Sequence, residues 1–364
     1  NKKEILTFKK IGYKTENFSI EYLLKRSTII MKIKSIQLEE IKISELTGEI
    51  KLHESSQDIH VFSTKDLENS DSHFQTIIDK IPNFNFSGAS SRPRYFQIRG
   101  IGERSQYAGE GGPMYYIGTV IDDIEFSGIG MPIFLDDIKQ LEVYQGPQSY
   151  AYGHNAMAGL INIKTLDPIS FKENKSKLGI ANGNTINISN YNNIGNLFSG
   201  KLLINSFFQA IYQDGFMYNT FLNKNTNTKK EHIEKIKFLF KPNDLFSSKL
   251  TLIHSNLNNG YDYWSPNNNG DTTYTNQPGK DSQELIALSI KNRYSIGNTE
   301  IVDIANYLNS NLEHSYDGDW AYNEFWEQEP YYFDSYYYGY YSPYEYYQTE
   351  LRERKMLSND LRLI

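Results

Sequence analysis

Side chains able to do acid–base or metal chemistry are present in this chain, but their spacing does not assemble them. The seven histidines stand at positions 53, 60, 73, 154, 232, 254 and 314, without the short intervals that place two imidazoles on one metal ion. The carboxylate pairs Asp122-Asp123 and Asp136-Asp137 occupy turn-like sequence, and Asp317-Gly318-Asp319 is a weak calcium motif. Neither a GxSxG elbow nor a phosphate-cradling glycine loop occurs. The chain has no cysteine, which removes thiol catalysis, thiolate metal sites and disulfides. An enzyme is not expected, and no cofactor is implied.

Recognition chemistry is better supplied. From Trp320 to Tyr347, 15 of 28 residues are aromatic and none is Lys or Arg; Tyr331 and Tyr332 lie at its centre. Tyrosine offers rigid contact area with a hydroxyl at its tip, which suits a planar or sugar-like ligand. An aromatic girdle at a membrane interface and low-complexity drift in a loop are the competing readings, and the breaks at Pro330, Gly339 and Pro343 favour a loop over a girdle. A second aromatic group, with Arg104, Tyr107, Tyr115 and Tyr116, falls in Gly-rich sequence that reads as a loop, either turned toward a ligand or without such a role.

Composition bounds the elements that position these groups. The chain has 364 residues, a net charge of -7 and 14% aromatic side chains, and its 37 basic residues form no continuous patch, so no nucleic-acid partner is expected. Apolar runs such as Ile29–Met31 and Leu202–Ile204 fall far short of the roughly 20 residues of a spanning helix. Spanning strands remain possible, because they are lipophilic on one face only.

Residues 1–37 show no clear periodicity and are expected to form a weakly ordered leader. The chain starts at Asn1, and no apolar run of about 7 to 15 residues with a cleavage site follows the basic stretch Lys25–Lys34. A lost signal peptide or a misassigned start is therefore expected. Together with the strand-like ending Asn359–Ile364, this reads as a fragment open at both ends.

From 48 to 168 the pattern is mixed. Ser72 can cap a helix whose apolar positions Phe74, Ile77, Ile78 and Ile81 share one face, and Pro82 ends it. Short strands are expected at Tyr95–Arg99, Gly118–Ile121, Leu141–Tyr144 and Leu160–Lys164, with a helical stretch near Phe134–Ile138. Gly100, Gly102, Gly146, Gly153 and Gly159 sit at strand ends or turns, where positive φ or close backbone approach is needed. This is a small α+β domain.

From 169 to 364 helical periodicity disappears. In Lys201–Tyr212 the even positions Leu202, Ile204, Phe208 and Ala210 are mostly apolar, while Lys201, Asn205 and Gln209 alternate with them. Ile236, Phe238 and Phe240 likewise alternate with Lys235, Lys237 and Lys241. About eight strands are expected, near 176–182, 185–191, 201–212, 230–241, 247–257, 282–294, 299–312 and 348–364. Connections are tight after 241 and 294 and long after 212, 257 and 312, as in an outer-membrane barrel. Taken alone, this half leaves a soluble β-sandwich equally open.

The ordered strings LEEIKIS (Leu38–Ser44), FQIRGIG (Phe96–Gly102), VIDDIEFSG (Val120–Gly128) and LEVYQGPQSYAYGHNAMAGLINIKT (Leu141–Thr165) resemble the plug domain of TonB-dependent outer-membrane receptors. DGF at Asp214–Phe216, YDYW at Tyr261–Trp264, NQPGKDSQE at Asn276–Glu284 and YDGDW at Tyr316–Trp320 resemble strand and loop signatures of the iron-complex receptors in that family. The resemblance covers about residues 38–364. It implies a small α+β plug followed by antiparallel transmembrane β-barrel strands, here about eight of the 22 that enclose the plug. Residues 38–47 would carry the TonB box, with Glu40, Ile41, Lys42, Ile43 and Ser44 pairing by strand addition with TonB of the inner-membrane energising complex; alternatively Ile41 and Ile43 pack as the first plug strand. Arg99 matches an arginine that locks plug to barrel through carboxylates, unless it is simply a surface arginine. Its companion position holds Gln145, which cannot carry the charge. Ligand contacts would involve Arg104, Tyr107, Tyr115, Tyr116, Trp320, Tyr331 and Tyr332.

The implied function is TonB-dependent uptake of a ferric siderophore across a bacterial outer membrane, with lipid around the barrel and the N-terminus in the periplasm. Cobalamin, haem or an oligosaccharide are rival cargoes for the same mechanism. A passive porin and a secreted sugar-binding β protein are the rival classes.

Overall fold

The structure, a computed structural model, describes residues 5–8, 13, 15–25, 28–32, 41–45, 48–67, 73–87, 90–102, 115–129, 134–328 and 345–364. The chain divides into two compact units, residues 1–45 with 49–55 and residues 46–48 with 56–364. In the first, β1 (Ile5–Phe8) and β2 (Glu16–Ser19) form an antiparallel ribbon. The Ser19 hydroxyl then caps α1 (Ile20–Leu24) by accepting from the Tyr22 amide at 3.3 Å, satisfying a helix-start N–H that has no intrahelical partner. A second ribbon joins β3 (Lys42–Glu45) to β4 (Gly48–Lys51), and the Leu52 amide donates to the Ile41 carbonyl at 2.9 Å. Ile43 is buried and Ile41 half exposed.

The second unit opens with the plug. Its elements run β5 (Ile59–Ser63), α2 (Thr64–Leu67), a 3-10 helix at Phe74–Lys80, β6 (Phe84–Ser87), β7 (Tyr95–Ile98), β8 (Ile101–Gly102), β9 (Ile117–Ile121), β10 (Ile124–Glu125), β11 (Ile138–Tyr144), α3 (Ser149–Tyr152) and β12 (Gly159–Thr165). A five-stranded sheet has the order β10-β9-β12-β11-β5, with β12 parallel to β9 and the other pairings antiparallel. Strand β9 is buried along its whole length, which is why it reads as a nearly continuous apolar run. Gly159 of β12 is required by crowding, since a Cβ there would meet Tyr144 O at 2.6 Å. Gly100 is required by its φ of +78°. Gly146 answers to neither demand.

Two local expectations are corrected. The apolar set Phe74, Ile77, Ile78 and Ile81 is buried as expected, but the first three lie on a 3-10 helix and Ile81 caps its C-terminal end. Its N-terminal cap is His73, whose Nδ1 accepts from the Gln75 amide at 3.1 Å; Ser72 lies outside the described residues. Residues 134–138 are a bridge and a turn leading into β11 rather than a helix. There Asp136 and Asp137 reach outward to lysines instead of continuing a helical turn.

The remaining elements are β13 (Glu173–Ala181), β14 (Thr185–Leu197), β15 (Leu202–Gln213), β16 (Met217–Asn219), β17 (Lys224–Thr226), β18 (Lys229–Phe240), β19 (Phe246–Tyr261), β20 (Thr272–Thr273), β21 (Gly279–Ile296), β22 (Thr299–Asp317), α4 (Asn323–Trp326) and β23 (Tyr347–Leu363). Eight of these strands form one antiparallel meander, β13-β14-β15-β18-β19-β21-β22-β23. All eight expected strands are present, most of them longer than the sequence pattern indicated. Short turns at 198–201, 241–245 and 297–298 lie at one end, and at the other the long connections that begin at 214, 262 and 318, together with the short turn 182–184, whose Gly183 carbonyl accepts from the Asp214 amide at 2.9 Å. Strand β22, at 19 residues, exceeds the roughly 9–11 a spanning strand needs.

One face of this sheet packs on the plug. Phe207, Ile233, Ile253, Leu285 and Leu308 join the plug's Ile121, Phe134, Ile138 and Ile163 in a single apolar core. The opposite face exposes Ile188, Phe208, Ile236, Phe240, Ile286 and Leu357. Strand alternation thus leaves an apolar outer face exposed and turns the mixed face to the plug, the inverse of a water-soluble sheet.

Candidate functional site

The plug-facing side of the strands carries charge in two tiers of opposite sign. Nearer the long loops, the plug supplies the cations. Arg92, in the approach to β7, sets Nε and one terminal nitrogen on the two Glu231 oxygens of β18, each at 2.7 Å. Arg94 reaches Asp281 of β21 at 2.6 Å. The second Asp281 oxygen accepts from the Ser91 amide at 2.7 Å and from its hydroxyl. Asn259 of β19 ties the two pairs together, donating to Ser91 Oγ at 2.8 Å and to Glu231 at 2.7 Å. All four charged groups are buried, and His314 Nδ1 lies 3.4 Å from Asp281. The rigid guanidinium fork matches carboxylate geometry, which is what a buried pair needs to offset desolvation.

Nearer the short turns the signs reverse, the plug offering carboxylates to wall lysines. Asp137 pairs with Lys235 at 2.6 Å, Asp122 with Lys237 at 3.0 Å, Asp167 with Lys249 at 3.0 Å, Asp123 with Lys291 at 2.9 Å and Asp136 with Lys177 at 2.9 Å. Asp122 and Asp123 adopt positive φ, 48° and 72°, in the turn between β9 and β10. They are turn residues, as the sequence suggests, and wall contacts as well. Burial pushes the Asp122 carboxyl up, but Lys237, Lys249 and hydrogen bonds from Thr165 outweigh it and hold the group well below the usual carboxylate range. At Asp137 burial wins over Lys235 and the group is raised.

At the far end the long connections are braced to one another. The Asp262 carboxylate accepts from Asn219 at 3.1 Å, Thr273 at 2.7 Å and Thr275 at 2.8 Å, joining two connections in one buried knot. Around it Trp264 stacks on Trp320 at 5.8 Å and 13°, Phe221 meets Tyr322 at 4.9 Å, and Tyr274 meets Phe325 at 4.3 Å. Tyr263 packs against Tyr261 and Phe216. Burial pushes its hydroxyl up to about 12.

The residues singled out from sequence distribute unevenly over this frame. Trp320 is on the aromatic platform, partly exposed and at φ +70°. Tyr116 is exposed. Tyr115 is buried, stacked on Tyr95 at 6.1 Å, with Arg354 of β23 over its ring at 5.7 Å, so its ring serves the contact between plug and wall rather than an open surface. Arg99 pairs with the plug's own Asp58 at 2.7 Å with both side chains half exposed, and Gln145 donates to the Pro82 carbonyl at 2.8 Å. Glu40, Arg104, Tyr107, Tyr331 and Tyr332 lie outside the described residues. Arg92, Arg94 and the wall lysines went unremarked as contact residues in the sequence. The available signal was Arg-x-Arg just before a buried strand, and lysines alternating with apolar residues in β18.

A compact plug seated by ion pairs on one face of an antiparallel meander, with its long connections at one end, defines a plug-and-partial-barrel fold. Residues 51–160 match the TonB-dependent receptor plug domain, and the chain has the fold of TonB-dependent receptors, plug and part of the barrel. It is similar to the ferric yersiniabactin uptake receptor FyuA from Yersinia pestis, with 16% identity over 72% of this chain and 42% of that one, at a TM-score of 0.64. The ferric-catecholate import receptor Fiu from E. coli K12, in its open form, gives 13% identity over 89% of this chain and 49% of that one, at 0.66. FpvA from P. aeruginosa, solved with bound pyoverdine and iron, gives 12% over 76% and 37%, at 0.61. The chain spans less than half the length of these receptors.

Proposed function

We propose that this chain supplies the plug and part of the wall of a TonB-dependent transporter that carries a ferric siderophore across a bacterial outer membrane. The observation that carries the reading is the charged seating of the plug. Groups that face one another as ions regain hydration once parted, which offsets part of the cost of exposing the apolar core that plug and wall also share, so a stopper seated this way can be withdrawn and reseated. No covalent bond is made or broken. Residues 38–47 act as the TonB box on the periplasmic side, where β3 (Lys42–Glu45), paired with β4 along one edge, offers the main-chain groups of its other edge as the row of hydrogen bonds through which force is applied. Arg99 and Gln145 are both held within the plug, by Asp58 and the Pro82 carbonyl, so the seating is assigned to the two ion-pair tiers rather than to them. The siderophore class is supported by the receptors matched, which import ferric yersiniabactin and ferric catecholates, and by the aromatic platform at Trp264 and Trp320, to which Arg104, Tyr107, Tyr116, Tyr331 and Tyr332 are added as ligand contacts.

The test is uptake of radiolabelled iron, presented as a catecholate complex, by iron-starved cells expressing the full-length receptor. Ile41→Pro, which removes a ladder donor, is expected to abolish energy-dependent accumulation while surface binding persists. Undiminished uptake in that variant would point to a passive channel.

A further inference from the structure

The outer face of the sheet changes character along its strands. Toward the short turns Ile236 of β18, Leu252 of β19 and Leu288 of β21 are directly paired neighbours. One row toward the long loops Glu234 pairs with His254, and in the next row come His232, Asn256 and Glu284. Glu231, Ile233 and Lys235 of β18, with Ile253 and Ser255 of β19, are buried on the plug side. Alternation therefore turns His232, Glu234, His254 and Glu284 outward together.

One ligand atom from each of His232, Glu234 and His254 lies within 4.8 Å of the other two. The imidazole rings stand 5.6 Å apart. His254 Nδ1 is 3.4 Å from Glu234, and on its far side Nε2 is 3.9 Å from Glu284. That order, carboxylate, imidazole, second carboxylate, resembles a metal-bound histidine whose other ring nitrogen is oriented by an outer carboxylate. Bond lengths of about 2.0–2.2 Å would bring the ligand atoms to roughly 3 Å of one another, a closure of about 1–2 Å by side chains that the core does not hold.

We propose that His232, Glu234 and His254 bind a divalent transition-metal ion of the zinc class on the outer wall of the barrel, with Glu284 orienting His254. Two imidazoles and one carboxylate suit that class over calcium or magnesium, which take all-oxygen sets. The ion cross-links β18 and β19 at a polar inset of the outer face, in a row that also carries the exposed Phe208 of β15 and Ile286 of β21, and leaves a coordination position open to an external oxygen donor.

The test uses the full-length receptor, purified in detergent without an affinity tag, with zinc alone as the probe. After equilibrium dialysis the wild type is expected to hold one more zinc per chain than the H232A/H254A double variant, and E234Q to bind zinc at least about tenfold more weakly. Cobalt in place of zinc should give visible absorption in the wild type and none in the double variant. Heat-modifiable gel migration verifies folding. If the alanine variant fails that check, H232Q and H254Q are compared by the same criterion. Equal zinc content in folded wild type and variant overturns the proposal, leaving His254 a hydrogen-bonding bridge between two carboxylates.

Discussion

The arginine tier and the lysine tier hold the same plug to the same wall by different means. Arg92 and Arg94 meet Glu231 and Asp281 with every charged group at most 5% exposed, and the bidentate contact fixes direction as well as distance. The lysine tier spreads over five aspartates, and several of its members are open to water: Lys177 is 44% and Asp167 40% exposed. One tier is therefore few, dry and directional, the other many, partly wet and tolerant. Their opposite polarity also sets orientation, because a plug seated upside down would bring Arg92 toward Lys235 and Lys237, and Asp122 toward Glu231.

The largest effect should come from breaking the dry tier on one side only. Arg92→Met strands Glu231 as a buried, uncompensated carboxylate, and such losses cost about 3–5 kcal/mol. In the full-length protein the plug should become protease-sensitive at a markedly lower temperature. Arg92→Met with Glu231→Met should recover most of the loss, since replacing both partners of a buried pair by apolar groups is often near neutral. If the double variant is as weak as the single, the pair is not the unit that holds.

How much of this was legible follows from what each signal depends on. The eight strands were, because period-two alternation is local and survives any context; so was the plug, through Val120–Gly128 and Leu141–Thr165. What alternation cannot say is which face is inside. Lys235 and Lys237 read as a polar face, and in a soluble sheet that face would meet water; here it meets Asp137 and Asp122. Nor does spacing along the chain disclose pairs made by register. His232 and His254 are neighbours only because β18 and β19 align Glu234 with His254. The 3-10 winding of Phe74–Lys80 was missed because the same apolar positions serve either helix.

Within the lysine tier, pH separates neighbours. Asp122 is held below its usual value by Lys237 and Lys249 against the pull of burial. Its contribution is therefore full above the unfolded carboxylate value of about 3.9 and is lost as pH falls through the lower folded value. Asp122→Asn should remove roughly 2 kcal/mol at neutral pH and flatten the acid side of the stability curve. Asp137 has the reverse sign. Burial raises it, so its folded form prefers the proton and the stability it contributes is lost as pH rises through that raised value. Asp137→Asn should thus cost less at neutral pH than Asp122→Asn, a ranking that melting curves across pH would check. The opposite ranking would mean that the Lys235 contact outweighs burial after all.

The wet end of the comparison sets the smallest effect. Lys177 of β13 meets Asp136 at 2.9 Å, but the lysine is 44% exposed and Asp136 keeps a second partner in the Ser189 hydroxyl at 2.8 Å. Removing the ammonium leaves the carboxylate hydrogen-bonded and near water, so Lys177→Met should change plug stability by no more than about 1 kcal/mol, and salt should already have weakened the pair. Melting of wild type and variant should converge as salt is raised, while Arg92→Met stays displaced at every concentration, because a buried pair is screened far less. If Lys177→Met were as damaging as Arg92→Met, the two tiers would be one continuous network, and the division into a directional clamp and a tolerant cushion would fail.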